Sequence, residues 1–507
     1  MFTAFSTGAC RRLPQLGVLF VLSSLQLAAQ IGTLNETNRN AQIEQRIDAL
    51  MDVLNATRLE LQESRAEIRA LHQELQAMKR SESTSGVEAD VGSGRPANEL
   101  ADAVANLKEN QEVVQAEVAQ HEQSKVEAQS KYPIKITGLV LFHSFVNKGA
   151  VDNVDVPVIA LHKTPEVAHG STGATLRQTV LGFDAKGPVV FGAESHADVR
   201  VDFFGNQQGS GYLPNEGRLR LRTAHAELDW RKTHLVAMLD KPLISPFSPT
   251  SMAVVGVSPL AGSGNLWTWL PQLKLSQDMS WGERHFGIEA GVMNVADPAD
   301  IYNPSAKSVS AAQRSLYPGS ELLLSYTGKP FGRSAIFGVG GYWGPHDYGY
   351  RQSTNAWAVT TDWRLALPAR LELSGEFYRG RALGGLGGGA YKDVVLVKTL
   401  SDPYAQIDGL NAIGGWSQIK YRMSDKIEWN TAYGQDGGYA SQLRSAQLDS
   451  TNPNAALARN QTAFGNIIYR PSNYLIFSFE FRNIRTWPIS GSYFTAQSYV
   501  LSTGYEF

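Results

Sequence analysis

Cysteine is almost absent from this chain. Its one thiol, Cys10, lies in a segment that reads as a removable leader, so the mature protein is expected to hold no disulfide, no Cys-ligated metal and no Cys nucleophile. Long apolar runs are missing too: no stretch reaches the 18 or so residues that mark a membrane-crossing helix. Nor is there an excess of either charge, with 46 Lys and Arg against 48 Asp and Glu in 507 residues. That balance excludes a nucleic-acid binder working through bulk charge. If such a chain spans a bilayer, it does so as a closed β-barrel, the other structure that satisfies its own backbone.

The amino-terminus reads as a signal peptide over residues 1–29. Arg11 and Arg12 form its positive region, Leu16 to Leu27 its apolar region, and Ala28-Ala29 precede Gln30. Residues 30–80 are expected to form an α-helical coiled-coil stalk. One seam position runs Ile47, Leu54, Leu61, Ile68, Leu75, and the other includes Leu50 and Leu71, with Thr57 and Ser64 weakening its middle. Glu60 before Arg65, Glu67 before His72 and Glu74 before Lys79 complement one another across parallel helices of a homo-oligomer. The competing reading is a single amphipathic helix packed on a domain, which normally shows a broader apolar stripe. Residues 81–97 have the composition of a flexible linker. A weaker helical repeat occupies 98–132.

From residue 133 to 507 the pattern changes to period two, and the fold class is an all-β transmembrane barrel of about sixteen antiparallel strands. Strands are expected to begin near residues 134, 176, 189, 217, 233, 272, 284, 319, 333, 356, 370, 412, 427, 459, 473 and 496. Every second connection is short, from Lys186-Gly187-Pro188 through to Pro471-Ser472. The alternate ones run from about ten to about thirty residues, the layout of an outer-membrane barrel. Strand three sets Phe191, Ala193, Val199, Val201 and Phe203 against Glu194, His196, Asp198, Arg200 and Asp202, so a charged interior faces a wet lumen. The last strand carries Tyr499, Leu501, Tyr505 and Phe507 on one face. It resembles the closing strand of Gram-negative outer-membrane barrels, in which a terminal Phe belongs to the assembly signal.

Two features bear on what passes through. Arg218, Arg220 and Arg222 share a parity opposite to Leu219 and Leu221, which places three guanidiniums in the lumen, with Arg200 beside them. Always-charged planar donors suit carboxylates and phosphates. The alternative is that these arginines neutralise Glu194, Asp198 and Asp202 within the wall. The third long connection, Pro242 to Trp269, is too apolar for an external loop. It is expected to fold inward and narrow the pore, presenting Ser245, Phe247, Ser248, Thr250, Ser251, Trp267 and Trp269, with Lys241 and Lys274 at its roots. The alternative there is a loop packed at a subunit contact.

The coiled-coil amino-terminus, the run PFSPTSMA in the third loop, GEFYRGRALGGLGGG (Gly375 to Gly389) and GGWSQIKYR (Gly414 to Arg422) resemble the DcaP-like trimeric porins of the sixteen-stranded class. The resemblance implies a homotrimer in the Gram-negative outer membrane, a periplasmic coiled coil, a constricting third loop and passage of small organic anions such as dicarboxylates. Leu139 and Leu141 depart from it, standing on the first strand where polar lumen residues are expected.

The leading expectation is a passive diffusion channel biased toward small anions. Alternatives are a general or sugar porin without that bias, and a structural trimer whose stalk reaches the peptidoglycan and tethers membrane to wall. An enzyme is not expected: His143 and Ser144 are the only such adjacent pair on a strand, and strand neighbours face opposite ways. A trimeric adhesin contributes only a few strands per chain. His162 and His169 lack ligand spacing, so neither metal nor cofactor is expected.

Overall fold

The computed structural model describes residues 133–507, apart from 164, 166–169, 206–216, 296–308, 331, 350, 398–405 and 447–455. The expected signal peptide, the coiled coil with its seam residues Ile47 to Leu75, the linker and the weaker helical segment all lie outside the described residues.

Alternation of side chains dictates one sheet. Its seventeen hydrogen-bonded segments close on themselves, and two of them, Ser171–Thr175 and Val180–Val190, pair with the same strand as parts of one, leaving sixteen strands. These are β1 (Ile134–Lys148), the two-part β2 (Ser171–Thr175 with Val180–Val190), β3 (Ala193–Asp202) and β4 (Arg220–Asp229). Then come β5 (Thr233–Asp240), β6 (Leu270–Trp281), β7 (Arg284–Met293) and β8 (Gly319–Gly328). β9 (Ala335–Asp347), β10 (Ser353–Ala366), β11 (Leu371–Arg381) and β12 (Asn411–Arg422) follow. β13 (Ile427–Gly438), β14 (Leu457–Tyr469), β15 (Leu475–Pro488) and β16 (Phe494–Glu506) complete the wall. All neighbours are antiparallel, and β16 returns to β1 with Leu139 opposite Glu506 and Lys148 opposite Gln497. Past the strand end, Phe507 exchanges both backbone hydrogen bonds with Gly138 (2.9 and 3.0 Å), so the terminal residue is part of the seam.

Outward positions are apolar and exposed, among them Phe142, Leu221, Leu275, Val339, Ile419, Phe479 and Leu501. Inward neighbours are polar or small and buried, such as Asn430, Asn466, Ser478, Glu480 and Ser502. This is the inverse of a water-soluble barrel. Among the described residues no helix is long and apolar enough to cross a membrane, a statement that leaves strand crossings untouched.

Three expectations need correcting. The first short turn is Phe191-Gly192, both at positive φ, while Lys186 to Val189 forms a bulge within the hairpin. Phe191 is therefore 90% exposed at a turn and takes no part in the outer face of β3. Two of the alternate connections are short as well, 348–352 and 489–493, because their flanking strands extend further than the apolar pattern does. Finally β2 breaks at 176–179, where Thr179 Oγ1 accepts the Leu141 amide at 3.1 Å and replaces a ladder bond.

Candidate functional site

The barrel interior is shaped by the connection 241–269, termed L3, which folds inward. A backbone segment inside a wall must find acceptors for its amides, and the inward side chains of the strands supply them. Glu321 of β8 accepts Leu243 N at 2.8 Å, and Glu376 of β11 accepts Ser245 Oγ at 2.6 Å and Phe247 N at 2.7 Å. Gln418 of β12 accepts Thr250 N at 2.6 Å, and Glu480 of β15 accepts Ser251 Oγ at 2.6 Å. His143 of β1 meets the Met252 carbonyl at 2.7 Å through Nε2. A carbonyl only accepts, so Nε2 carries the proton, and Nδ1 is left to accept from Gln178 Nε2 at 2.9 Å. Gln178, turned inward by the break in β2, also donates to Ala253 O and accepts Val255 N and Gly256 N at 2.6 and 2.7 Å. L3 is thus pegged to the wall from β8 round to β2.

Apolar contacts fill the spaces between pegs. Leu141 and Leu139 pack with Met252, Val255, Ile468 and Ile476. Phe145 packs with Ala253, Val254 and Val500. The two leucines on β1 that depart from the polar lumen pattern are therefore the bed on which L3 lies. Gly264 comes closer to the wall than any other side chain could: at φ +97 a Cβ would stand 2.3 Å from the Gly415 carbonyl oxygen.

Two further connections turn inward, which sequence reading did not anticipate. The connection 149–170, termed L1, is tied by Asp155 to Arg177 at 2.6 Å, both buried. Within it Asp152 accepts Val158 N and Ile159 N (3.0 and 2.9 Å). The connection 382–410, termed L6, contains the glycine run noted in the sequence. Asp436 of β13 accepts Gly389 N and Ala390 N (3.1 and 2.7 Å) as well as the Tyr378 hydroxyl, and Asp393 accepts Gly384 N at 2.6 Å. Lys392, half-buried beside it, donates to Leu457 O at 2.6 Å, and partial desolvation holds its ammonium down at about 7. L3 and L6 share a core of Ile244, Leu266, Leu383 and Leu386 against Tyr342, Ala356, Tyr378 and Ala412 of the wall. A spaced run of inward acids and amides on β8, β11, β12, β13 and β15 was the available signal for these pegs.

The arginine ladder is rearranged by a bulge. Arg200 stands opposite Thr223 and Val201 opposite Leu221, so Arg222 is the extra residue of β4. Arg220 and Arg222 both lie over Trp269 of L3 (5.0 and 5.2 Å). Arg220 is also paired with fully buried Asp202 at 2.6 Å and donates to Gly256 O at 2.6 Å. Arg218 precedes β4, and its side chain is exposed. Arg200 pairs with Asp184 at 2.7 Å and Asp198 at 3.6 Å, and Asp198 reaches His225 at 3.0 Å. Lys274 pairs with Glu289 at 3.1 Å. Glu194 is exposed near the short-turn end and joins none of these pairs. Lys241 donates to Ser248 Oγ at 3.2 Å, Ser248 meets Ser258 at 3.1 Å, and Arg364 lies over Phe247 at 4.2 Å. Trp267 and Trp269 meet edge to face at 5.8 Å. Tyr505 and Phe507 are outward, 6.5 Å apart between ring centres.

No protein-family model matches the chain, and no curated protein matches it significantly. Solved structures do. The outer membrane channel DcaP of Acinetobacter baumannii superposes with a TM-score of 0.57 at 16% identity, over 75% of this chain and 99% of that one. The fold is that of a sixteen-stranded porin-type barrel. OprB of Pseudomonas putida (TM-score 0.44, 12% identity, 74% and 94% covered) and an anion-selective porin from Comamonas acidovorans (0.42, 11%, 74% and 100%) score lower and add nothing to that likeness.

Proposed function

We propose that the chain is an outer-membrane porin, a passive diffusion channel biased toward small organic anions of the dicarboxylate kind, and that it works as a homotrimer. The observation that carries the bias is the way lumen charges are spent. Glu321, Glu376 and Glu480 are committed to L3, while Asp184, Asp198 and Asp202 are committed to Arg200, His225 and Arg220. Arg222, Lys241 and Arg364 face inward and form no ion pair among the described residues, against one inward acid near them, Asp362, that is likewise unpaired. Cations left over inside a low-dielectric wall attract anions and repel cations. Selectivity thus rests on these three rather than on Arg218, Arg220 and Arg200. The trimer is supported by a row of outward alanines in register across β2 to β5 (Ala185, Ala197, Ala226 and Ala237), flat enough for close approach. Periplasmic placement of the stalk, and its contact with peptidoglycan, extend the same proposal.

The test is the zero-current potential of the purified protein in a planar bilayer under a salt gradient. An anion-selective sign that weakens in Arg222→Gln and Arg364→Gln is the expected result. A cation-selective pore would overturn the bias, an unselective one would leave a general porin, and absence of conductance would favour the tether.

A further inference from the structure

The outward face of the barrel holds a second pattern. On the seven consecutive strands β11 to β16 and β1, no outward position carries an acid. Five outward positions carry a cation, and all five lie at the long-loop end. Arg381 is paired with Asp408 at 2.7 Å. The other four, Arg379, Arg459, Arg485 and Lys148, form no ion pair among the described residues. Each lies over an outward or rim aromatic ring: Arg379 over Tyr439 (5.5 Å), Arg459 over Trp487 (4.0 Å), Arg485 over Tyr493 (6.0 Å) and Lys148 over Tyr499 (5.4 Å). Between them run outward amides, Gln461 opposite Arg485 and Gln497 opposite both Lys148 and Asn483. At the same level on β3 to β10 the outward residues include Val201, Leu221, Leu239, Val292, Ser320 and Asn355, with no cation among them.

Height decides what this band meets. Along β15 the apolar belt begins at Leu475 and continues through Phe477, Phe479 and Phe481 before Asn483 and Arg485. Ten residues at about 3.3 Å rise, tilted by about 40°, lift Arg485 about 25 Å above Leu475, the height of a barrel's apolar band. The cations therefore stand at headgroup level of the leaflet on the long-loop side. An aromatic ring under each guanidinium or ammonium holds it flat against the wall, with its donors directed along the surface.

We propose that this arc, from β11 round to β1, is a binding band for a lipid of that leaflet whose headgroup carries phosphate. Charge complementarity names the occupant. Separate planar donors without acids nearby match phosphate oxygens, and a headgroup bearing two phosphates can bridge neighbouring cations such as Arg459 and Arg485. The proposal rests on reading the chain as a membrane barrel. Failure of the wild-type protein to insert into liposomes would sink that reading separately.

The experiment is native mass spectrometry of the full-length protein from detergent containing a diphosphorylated glycolipid or the same glycolipid enzymatically stripped of phosphate. The variant is Lys148→Gln/Arg379→Gln/Arg459→Gln/Arg485→Gln, with Arg284→Gln, an outward cation at the opposite end of β7, as the matched control. Wild type and control should retain the phosphorylated lipid, and the fourfold variant should bind it about tenfold more weakly or worse. Equal retention by the fourfold variant, or equal retention of the stripped lipid, overturns the proposal. So does loss of the oligomer in place of loss of lipid, because the band would then be a contact between copies. Glutamine preserves the stems and exposed positions, and an unchanged melting of the barrel by circular dichroism confirms a fair comparison.

Discussion

Glu376 and Ser245 meet at 2.6 Å across 131 residues of sequence, and the other oxygen of the same carboxylate takes the Phe247 amide. One wall side chain thus holds two points of L3, with Trp416 Nε1 donating to it from β12 at 3.1 Å. Glu376→Ala leaves the Phe247 amide and Trp416 Nε1 without this acceptor, while Ser245 Oγ keeps only its longer bond to Asn265 Oδ1 at 3.3 Å. The cost to the seating of L3 is about 2–4 kcal/mol, while the barrel ladders are untouched. Single-channel recording should show a larger and noisier conductance with the barrel still formed. A conductance trace identical to wild type would mean that L3 is held elsewhere.

The Arg220–Asp202 pair gives a second expectation. Asp202 has no solvent exposure, so Arg220→Ala strands a buried carboxylate and should destabilise the fold by about 3–5 kcal/mol. Adding Asp202→Ala should restore most of that loss. Thermal unfolding of the single and double variants measures the difference.

Gly264 and Gly332 form a matched contrast. Both have positive φ, at +97 and +69, yet a Cβ on Gly264 meets wall backbone at 2.3 Å and one on Gly332 meets nothing within 4 Å. Gly332→Ala should cost about 1 kcal/mol from backbone strain alone. Gly264→Ala should in addition unseat L3, which limited proteolysis within 241–269 would reveal.

The strand parities, the strand number and the closing seam were legible because a membrane barrel repeats one rule on every strand. The inward course of L3 was legible from its apolar content. L1 and L6 were not, because their seats depend on isolated side chains of the wall, Arg177 on Asp155 of L1 and Asp436 on the Gly389 and Ala390 amides of L6, that leave no period in the sequence. In the arginine ladder, Arg220 and Arg222 do share the side turned to Trp269, with Leu219 and Leu221 exposed on the other; the bulge beside Arg200 that makes Arg222 an extra residue has no signature in alternation alone.

The break in β2 ties two assembly events together. β2 is the neighbour of β1, and β1 is the strand on which the ring closes against β16. At the break, Gln178 is buried and, among the described residues, its amide is satisfied by His143 and by L3. Strand closure with L3 still outside would strand that amide in the wall beside the final seam. Seating of L3 and completion of the wall beside the β1–β16 seam therefore stabilise one another through Gln178.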